Sequence, residues 1–207
     1  LTGGIKATNT SVGKVDIDVT GDVTSTGNAI FVSNSAGTTT DIKTNKISGS
    51  YGVHVTHNGT GDVTVTTRDV VTATNTGIYV LNATPTTGGK TIITAQADIN
   101  AANTGIDAAN TGKGTTGLEI NATNITTTAP SASGVNNVGI QAMNMGVGDE
   151  KITVTGLITA TGDGINAQNF GQTSPTGVVS TAKLTITANE IKAGENGIDT
   201  DNILSQG

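Results

Sequence analysis

The sequence predicts an all-β protein folded as a single-stranded parallel β-helix, a solenoid whose coils each contribute three short strands. The first observation is a six-residue pattern that recurs along the whole chain. The second is that apolar and polar residues alternate between its copies, which is typical of strands with one buried face. The third is a constant spacing of apolar residues that leaves no room for helices. We therefore expect about seven to eight stacked coils.

The recurring pattern is G-I-x-(A/V)-x-N, and its eight copies begin at residues 4, 29, 52, 77, 105, 139, 164 and 197. Successive copies are 25, 23, 25, 28, 34, 25 and 33 residues apart, so the basic unit has about 25 residues with occasional insertions. A unit of this size cannot bury its apolar face alone. Stacking the units buries one continuous core.

Each repeating unit has room for two more strands between successive copies of the pattern. The first resembles Val15-x-Ile17-x-Val19, and its central residue lies six residues before the start of the second. The repeat's isoleucine follows seven residues later, as at positions 17, 23 and 30, 65, 71 and 78, 93, 99 and 106, and 152, 158 and 165. Constant steps place each strand about 4.8 Å from its counterpart in the next coil.

The three prolines indicate where the chain leaves the solenoid. Pro85, Pro130 and Pro175 fall in the three longest intervals, and proline cannot donate a hydrogen bond to a strand ladder. The predicted protrusions are residues 84–90, 127–138 and 170–183. Because no linker or charge block interrupts the repeat, residues 1–207 are predicted to form one elongated domain.

The pattern ends in asparagine in seven of its eight copies. An amide at a strand edge can satisfy the backbone of the adjoining turn, and amides stacked coil upon coil can bond one another in a ladder. The predicted ladder consists of Asn9, Asn34, Asn82, Asn110, Asn144, Asn169 and Asn202. His57 replaces asparagine in the third copy, with Asn58 beside it, which predicts a one-residue shift of that coil.

The third position of the pattern points outward and carries Phe31, His54 and Tyr79 in three consecutive copies. The chain has only four Phe and Tyr residues, so this alignment favours a partner-binding stripe, flanked by Leu81. The alternative is that the rings stack on one another for local stability.

A second outward column is rich in threonine, as at Thr72 and Thr74. It is similar to the flat threonine arrays of ice-binding β-helices, but Asn100, Ala102 and Lys192 interrupt it. Outward threonine is also the ordinary choice for a solvated strand.

Composition excludes several classes of function. The formal net charge is -6 and the ten basic residues are scattered, which disfavours nucleic acid or an anionic membrane as a partner. No apolar run is long enough to cross a membrane as a helix. The chain lacks cysteine, so disulfides and thiolate metal sites are excluded. Without an initial Met or an apolar signal core, the sequence is expected to be a mature or excised segment.

The sequence predicts no catalytic, metal or cofactor site. The two histidines belong to no hydrolase or zinc motif, and no phosphate-binding loop is found. Carboxylate pairs occur at Asp16 and Asp18 and at Asp199 and Asp201. The coil above the first pair offers Asp41 beside Lys43, whose ammonium group would neutralise a cluster of carboxylates there. We interpret these carboxylates as a solvated face, since a Ca²⁺ site requires more oxygen ligands.

Residues 4–202 resemble the passenger domains of type V secretion autotransporters, through the G-I-x-A-x-N copies, the Thr, Asn and Gly richness and the scarcity of aromatics. The resemblance implies a right-handed β-helix that is secreted or held on a bacterial cell surface. It also implies a non-enzymatic adhesin or receptor-activating effector, such as an angiogenic factor, that binds a host-cell surface protein, matrix component or glycan. The family's membrane barrel, autochaperone junction and protease domain are not visible in this sequence.

A different class remains open. A polysaccharide lyase or hydrolase of the β-helix type requires a groove lined by several acids together with Lys or Arg. The charges of this sequence are predicted to be scattered instead, which favours the binding module.

Overall fold

The computed structural model describes residues 3–83, 88–112, 117–130, 137–171 and 182–202. Within these ranges the chain forms 18 β-strands in one continuous sheet, every pairing between strands is parallel, and no helix occurs. The predicted parallel β-helix is therefore confirmed. No helix of the described ranges is long and apolar enough to cross a membrane.

The strands build three faces. The first face consists of β2 (Lys14–Val19), β5 (Thr39–Thr44), β7 (Val63–Thr67), β9 (Thr91–Ala95), β12 (Leu118–Ala122) and the first halves of β15 (Glu150–Ala160) and β17 (Leu184–Ala193). The second consists of β3 (Val23–Thr24), β10 (Ile99–Ala101), β13 (Ile125–Thr127), the first halves of β6 (Ile47–His57) and β8 (Val71–Asn82), and the second halves of β15 and β17. The third consists of β1 (Ile5–Asn9), β4 (Ile30–Asn34), β11 (Thr104–Asn110), β14 (Ile140–Asn144), β16 (Ile165–Asn169), β18 (Ile198–Asn202) and the second halves of β6 and β8.

The eight copies of the repeat align residue by residue on the third face, because each strand pairs with the same segment of the next coil. The isoleucine or valine of the repeat is fully buried from Ile30 to Ile165, whereas Ile198 in the last described coil is 49% exposed. The second face contributes an equivalent column of buried Val and Ile that runs from Val23 to Ile158. Small branched side chains fill this narrow interior.

In four coils two faces are joined within one long strand, where the sequence predicts two strands and a turn. Strands β6, β8, β15 and β17 have 11, 12, 11 and 10 residues. The pairing of β6 with β8 shifts register between Gly49 and Tyr51, and that of β15 with β17 shifts between Val154 and Leu157. Such bulges bend a strand without ending it, so the corner needs no separate turn.

The predicted one-residue shift of the third coil is wrong. His57 pairs in register with Asn34 on one side and Asn82 on the other. The imidazole points inward like the asparagines and is fully buried. Its Nδ1 lies 3.0 Å from the Thr40 hydroxyl, so the ring finds a hydrogen-bond partner without any displacement of the strand.

The protrusions are only partly within the described residues. Positions 84–87, 131–136 and 172–181 lie outside them, and so do Pro85 and Pro175. Thr127 was predicted to begin a protrusion, but it ends β13 and is 2% exposed. Thr127 continues the inward alternation of β13, and the backbone still bonds the preceding coil at Ala129, whose N–H donates to the Ala102 carbonyl at 2.8 Å. Pro130 is exposed, and its carbonyl accepts a hydrogen bond from Asn137 Nδ2 at 2.7 Å.

Candidate functional site: an aromatic cluster on the third face

Phe31, His54 and Tyr79 lie directly above one another on β4, β6 and β8. The centroids of Phe31 and His54 are 5.2 Å apart, and those of His54 and Tyr79 are 4.7 Å apart, with the rings tilted by 53° and 52°. These distances and tilts are within the range of favourable ring contacts. The predicted column is thus a row of touching rings, and whether it binds a partner stays a prediction.

Tyr51 belongs to this group, although the sequence did not single it out. Its ring centroid is 4.9 Å from that of His54 and 6.2 Å from that of Tyr79, which it meets edge-on at 82°. Period-2 alternation assigns residues 51 and 54 to opposite sides of a regular strand. The register shift after Gly49 brings the Tyr51 ring to the side of His54. We call Phe31, Tyr51, His54 and Tyr79 the aromatic cluster.

The four side chains of the aromatic cluster are half-buried, and burial acts on the pKa values of His54 and Tyr79. Burial lowers the pKa of His54, whose Nδ1 is buried without a hydrogen-bond partner among the described residues. Burial, and secondarily the carboxylate of Asp107, raise the pKa of Tyr79. Burial therefore favours the neutral forms of His54 and Tyr79.

Charged groups stand at both ends of the cluster. Lys6 Nζ lies 5.6 Å from the ring centroid of Phe31, within the range of a cation–π contact. A cavity of about 350 Å³ lies beside this pair and is lined by Gly4, Ile5, Lys6, Asn28 and Phe31. At the other end, Asp107 pairs in register with Tyr79, and burial raises the pKa of its carboxyl.

Leu81 extends the apolar surface from Tyr79 along the same strand. It pairs in register with Thr56 on one side and Ala109 on the other, and Ala109 pairs with Met143 in the following coil. Leu81, Ala109 and Met143 are all half-buried and point outward. Leu81 was predicted from the sequence, whereas Ala109 and Met143, which continue its column along the solenoid, were not.

The asparagines form a column at the corner between the third and first faces. Asn34, Asn82, Asn110, Asn144 and Asn169 are fully buried. Hydrogen bonds between side-chain amides join the coils: Asn9 Nδ2 donates to Asn34 Oδ1 at 3.2 Å, Asn110 Nδ2 to Asn144 Oδ1 at 3.2 Å, and Asn144 Nδ2 to Asn169 Oδ1 at 3.1 Å. Asn202 pairs in register with Asn169 but is exposed. The column therefore contains hydrogen bonds between side-chain amides of neighbouring coils. The amides also donate to backbone carbonyls of the adjoining turns, as Asn144 does to Gly148.

Replacing Asn110 by alanine is expected to destabilise the fold by about 1 to 3 kcal/mol, the cost of leaving buried polar groups unpaired. Its Nδ2 donates to the Gly117 carbonyl at 3.0 Å as well as to Asn144, and both acceptors would lose this donor. Denaturant unfolding measures the change. Asn202→Ala is the matched control, since Asn202 is exposed. Equal losses in the two variants would contradict a stabilising column.

The carboxylates of the first coils lie in ion pairs at the surface. Asp16 accepts from Lys14 at 2.9 Å, and Asp18 accepts from Arg68 at 2.8 Å. In the next coil Asp41 accepts from Lys43 at 2.6 Å. Asp199 and Asp201 lie on the exposed last strand. No group of three or more His, Asp and Glu side chains in the described ranges is arranged to hold a metal ion.

The prediction that the charges are scattered is wrong in one place, because coil stacking brings residues from distant positions together. A groove of about 410 Å³ on the first face is lined by Lys90, Leu118, Glu119, Asp149, Lys151 and Thr185. Lys90 forms an ion pair with Glu119, and this contact lowers the pKa of Glu119. We call this feature the charged groove.

The threonine column of the second face is aligned but discontinuous. Thr72 pairs with Asn100 and Asn100 pairs with Thr126, so an amide separates the hydroxyls. Lys192 follows Thr159 at the far end. A measurement of thermal hysteresis would test ice binding by this face.

Fold and surface together define a β-solenoid that displays a cluster of touching aromatic rings on one of its faces. Comparison with protein-family models, with curated proteins and with solved structures finds no match for the chain.

Proposed function

We propose that the chain is a non-enzymatic binding module that contacts a host-cell surface protein, a matrix component or a glycan through the aromatic cluster. The observation that carries the proposal is the convergence of three of the four Phe and Tyr residues, with one of the two histidines, on adjacent coils of one face. Aromatic residues dominate the energy of many binding surfaces because they bury large areas at little entropic cost.

The resemblance to autotransporter passengers extends the proposal to location and class. The module would be secreted or held on a bacterial cell surface, as an adhesin or as a receptor-activating effector such as an angiogenic factor. A rod of parallel strands suits this task, since every coil is fixed by its neighbours and holds its outward side chains at constant spacing. The resemblance to a family, together with the aromatic cluster, supports this extension.

The test is an array of glycans, matrix proteins and endothelial receptor ectodomains, probed with the chain and with the Phe31→Ala, His54→Ala, Tyr79→Ala triple variant. The triple variant is expected to bind at least about tenfold more weakly, because losing one hot-spot side chain often costs more than about 1.4 kcal/mol. The control carries alanine at Thr72, Thr126 and Thr159, which lie on the second face.

Circular dichroism and denaturant unfolding would accompany the array. A folded triple variant that binds as well as the unchanged chain would contradict the proposal. If this variant loses stability but keeps its affinity, the rings serve only to hold neighbouring coils together.

The charged groove supports a second candidate, a polysaccharide lyase or hydrolase. It combines two carboxylates, Glu119 and Asp149, with two ammonium groups, Lys90 and Lys151. Carboxylates and cations in one groove are the groups that such chemistry requires. Incubation with polyuronates, followed by absorbance of the unsaturated product, tests lyase activity, and assay of new reducing ends tests hydrolysis. Product that disappears in Glu119→Gln would replace the binding module as the proposed function.

A further inference from the structure

His57 interrupts the asparagine column at its third coil. Asn34 Nδ2 donates to Thr40 Oγ1 at 3.0 Å, and the same hydroxyl lies 3.0 Å from His57 Nδ1. The Thr40 hydroxyl therefore bridges Asn34 and the imidazole. The imidazole itself occupies the position that an asparagine amide holds in the other copies of the repeat. On the other side of the ring, Nε2 is buried and has no hydrogen-bond partner among the described residues.

This geometry accommodates a neutral imidazole and opposes a charged one. The neutral Nδ1–H tautomer donates to the Thr40 hydroxyl and leaves only the Nε2 lone pair without a partner among the described residues. A protonated ring carries two N–H donors, and Nε2–H would have no acceptor among the described residues. Burying a charge with an unpaired donor is costly.

We propose that His57 makes the third coil an acid-sensitive break in the asparagine column, so that acidification loosens β6 and disturbs the aromatic cluster that β6 carries. Tyr51 and His54 lie on β6 within six residues of His57. Loosening this strand therefore acts directly on two members of the cluster. The consequence for binding rests on the proposed function, whereas the loosening itself does not.

The groups around each histidine set the sign of the effect. His57 faces Asn34 on β4, Thr40 on β5 and Asn82 on β8, none of which titrates or carries charge. His54 faces the rings of Phe31, Tyr51 and Tyr79. The nearest charged groups at the ends of the cluster are Lys6 and Asp107. Burial lowers the pKa of both histidines, so their neutral forms are favoured in the folded state.

The pKa of a histidine in the unfolded chain is about 6.5, and folding lowers the pKa of His57. The neutral ring costs the folded state nothing above about pH 6.5, and stability is lost as the pH falls from there towards the folded pKa. Glu150 acts in the opposite direction, because its pKa is raised to about 8. The experiment therefore compares variants at the same pH, so that the contribution of Glu150 cancels.

The decisive variant is His57→Asn, which restores the residue of the other seven copies and so fits the coil. Urea unfolding of both proteins would be measured at about pH 7.5 and about pH 5. The unchanged chain is expected to lose stability relative to His57→Asn on acidification. The ratio of their unfolding constants should change about tenfold for each unit by which folding lowers the pKa of His57. A ratio that stays constant would overturn the proposal.

Tyrosine fluorescence provides a second readout, because the chain has no tryptophan and both of its tyrosines lie in the cluster. The emission intensity of the unchanged chain is expected to change on acidification, and His57→Asn should abolish the change. His54→Gln is the control for direct protonation within the cluster. An intensity change that survives in His57→Asn but disappears in His54→Gln would assign the response to His54 and overturn the role of His57.

Discussion

Gly105→Ala is expected to destabilise the solenoid by about 3 kcal/mol or more, the upper range for overpacking. A β-carbon at Gly105 would lie 2.5 Å from the Gly139 carbonyl oxygen and would overlap the Ile125 side chain. The Gly139 carbonyl is backbone, fixed by its hydrogen bond to the Ile106 N–H at 3.0 Å, so it cannot move aside without breaking the ladder.

The same close contact between a repeat glycine and a backbone carbonyl of the neighbouring coil recurs along the chain. It explains why the pattern begins with glycine. A β-carbon would lie 2.5 Å from the carbonyl of the next repeat's glycine at Gly77, Gly139 and Gly164. Ala29 takes this position in the second coil, where its N–H donates to the Tyr51 carbonyl of β6 at 2.9 Å. The requirement for glycine therefore comes from the carbonyl of the neighbouring coil.

Gly197→Ala is the matched control, because no atom of the described residues lies within 4 Å of a β-carbon built on Gly197. Its effect is expected to stay within about 0.5 kcal/mol, as for surface changes. Urea unfolding of both variants, followed by circular dichroism, measures the difference. Similar losses at Gly105 and Gly197 would show that conformational freedom, rather than the neighbouring coil, selects glycine.

Glu150→Leu is expected to stabilise the protein by about 2 to 4 kcal/mol at neutral pH. Glu150 is fully buried, and neither carboxyl oxygen has a hydrogen-bond partner among the described residues. Burial raises its pKa to about 8, opposed by the nearby Asn144 backbone N–H, which does not reach hydrogen-bond geometry. Leu118 and Leu184 occupy the same position in the coils on either side, so a leucine matches the column.

The pH dependence of Glu150 has a definite sign. The folded pKa of about 8 exceeds the ordinary value of 4.5, so the folded state holds the proton more tightly than the unfolded chain. The penalty is absent below the unfolded pKa, grows as the pH rises, and is complete above the folded pKa. The stability difference between Glu150→Leu and the unchanged chain should therefore widen between about pH 4.5 and about pH 8.

Two variants separate burial of the charge from other effects. Glu150→Gln keeps the shape and removes the titration, so it should remove this pH dependence while stabilising less than leucine does. Glu119→Gln is the control on the neighbouring strand, where the ion pair with Lys90 lowers the pKa and gives the opposite sign. Parallel stability curves for Glu150→Gln and the unchanged chain across this range would contradict a buried, protonated Glu150.

The sequence alone sufficed for the coils, the three faces and the columns of the candidate site. In a parallel in-register stack each residue is translated onto its counterpart, so a repeat read along the chain gives neighbours in space. This is why the sequence alone predicts that Phe31, His54 and Tyr79 lie in one column. The asparagine column followed from the same translation.

Only the tertiary structure shows where the chain departs from the periodic pattern. Tyr51 joins the aromatic cluster because β6 bulges at the corner, and bulges depend on how neighbouring coils pack. The charged groove arises because residues on different coils meet across one face, and insertions hide their alignment along the sequence. His57 keeps the register of asparagine because Thr40, from the next face, supplies its hydrogen bond. The periodic pattern determined which residues of successive coils stack on one another. Contacts between faces and coils decided where the chain bends and which buried polar groups form hydrogen bonds.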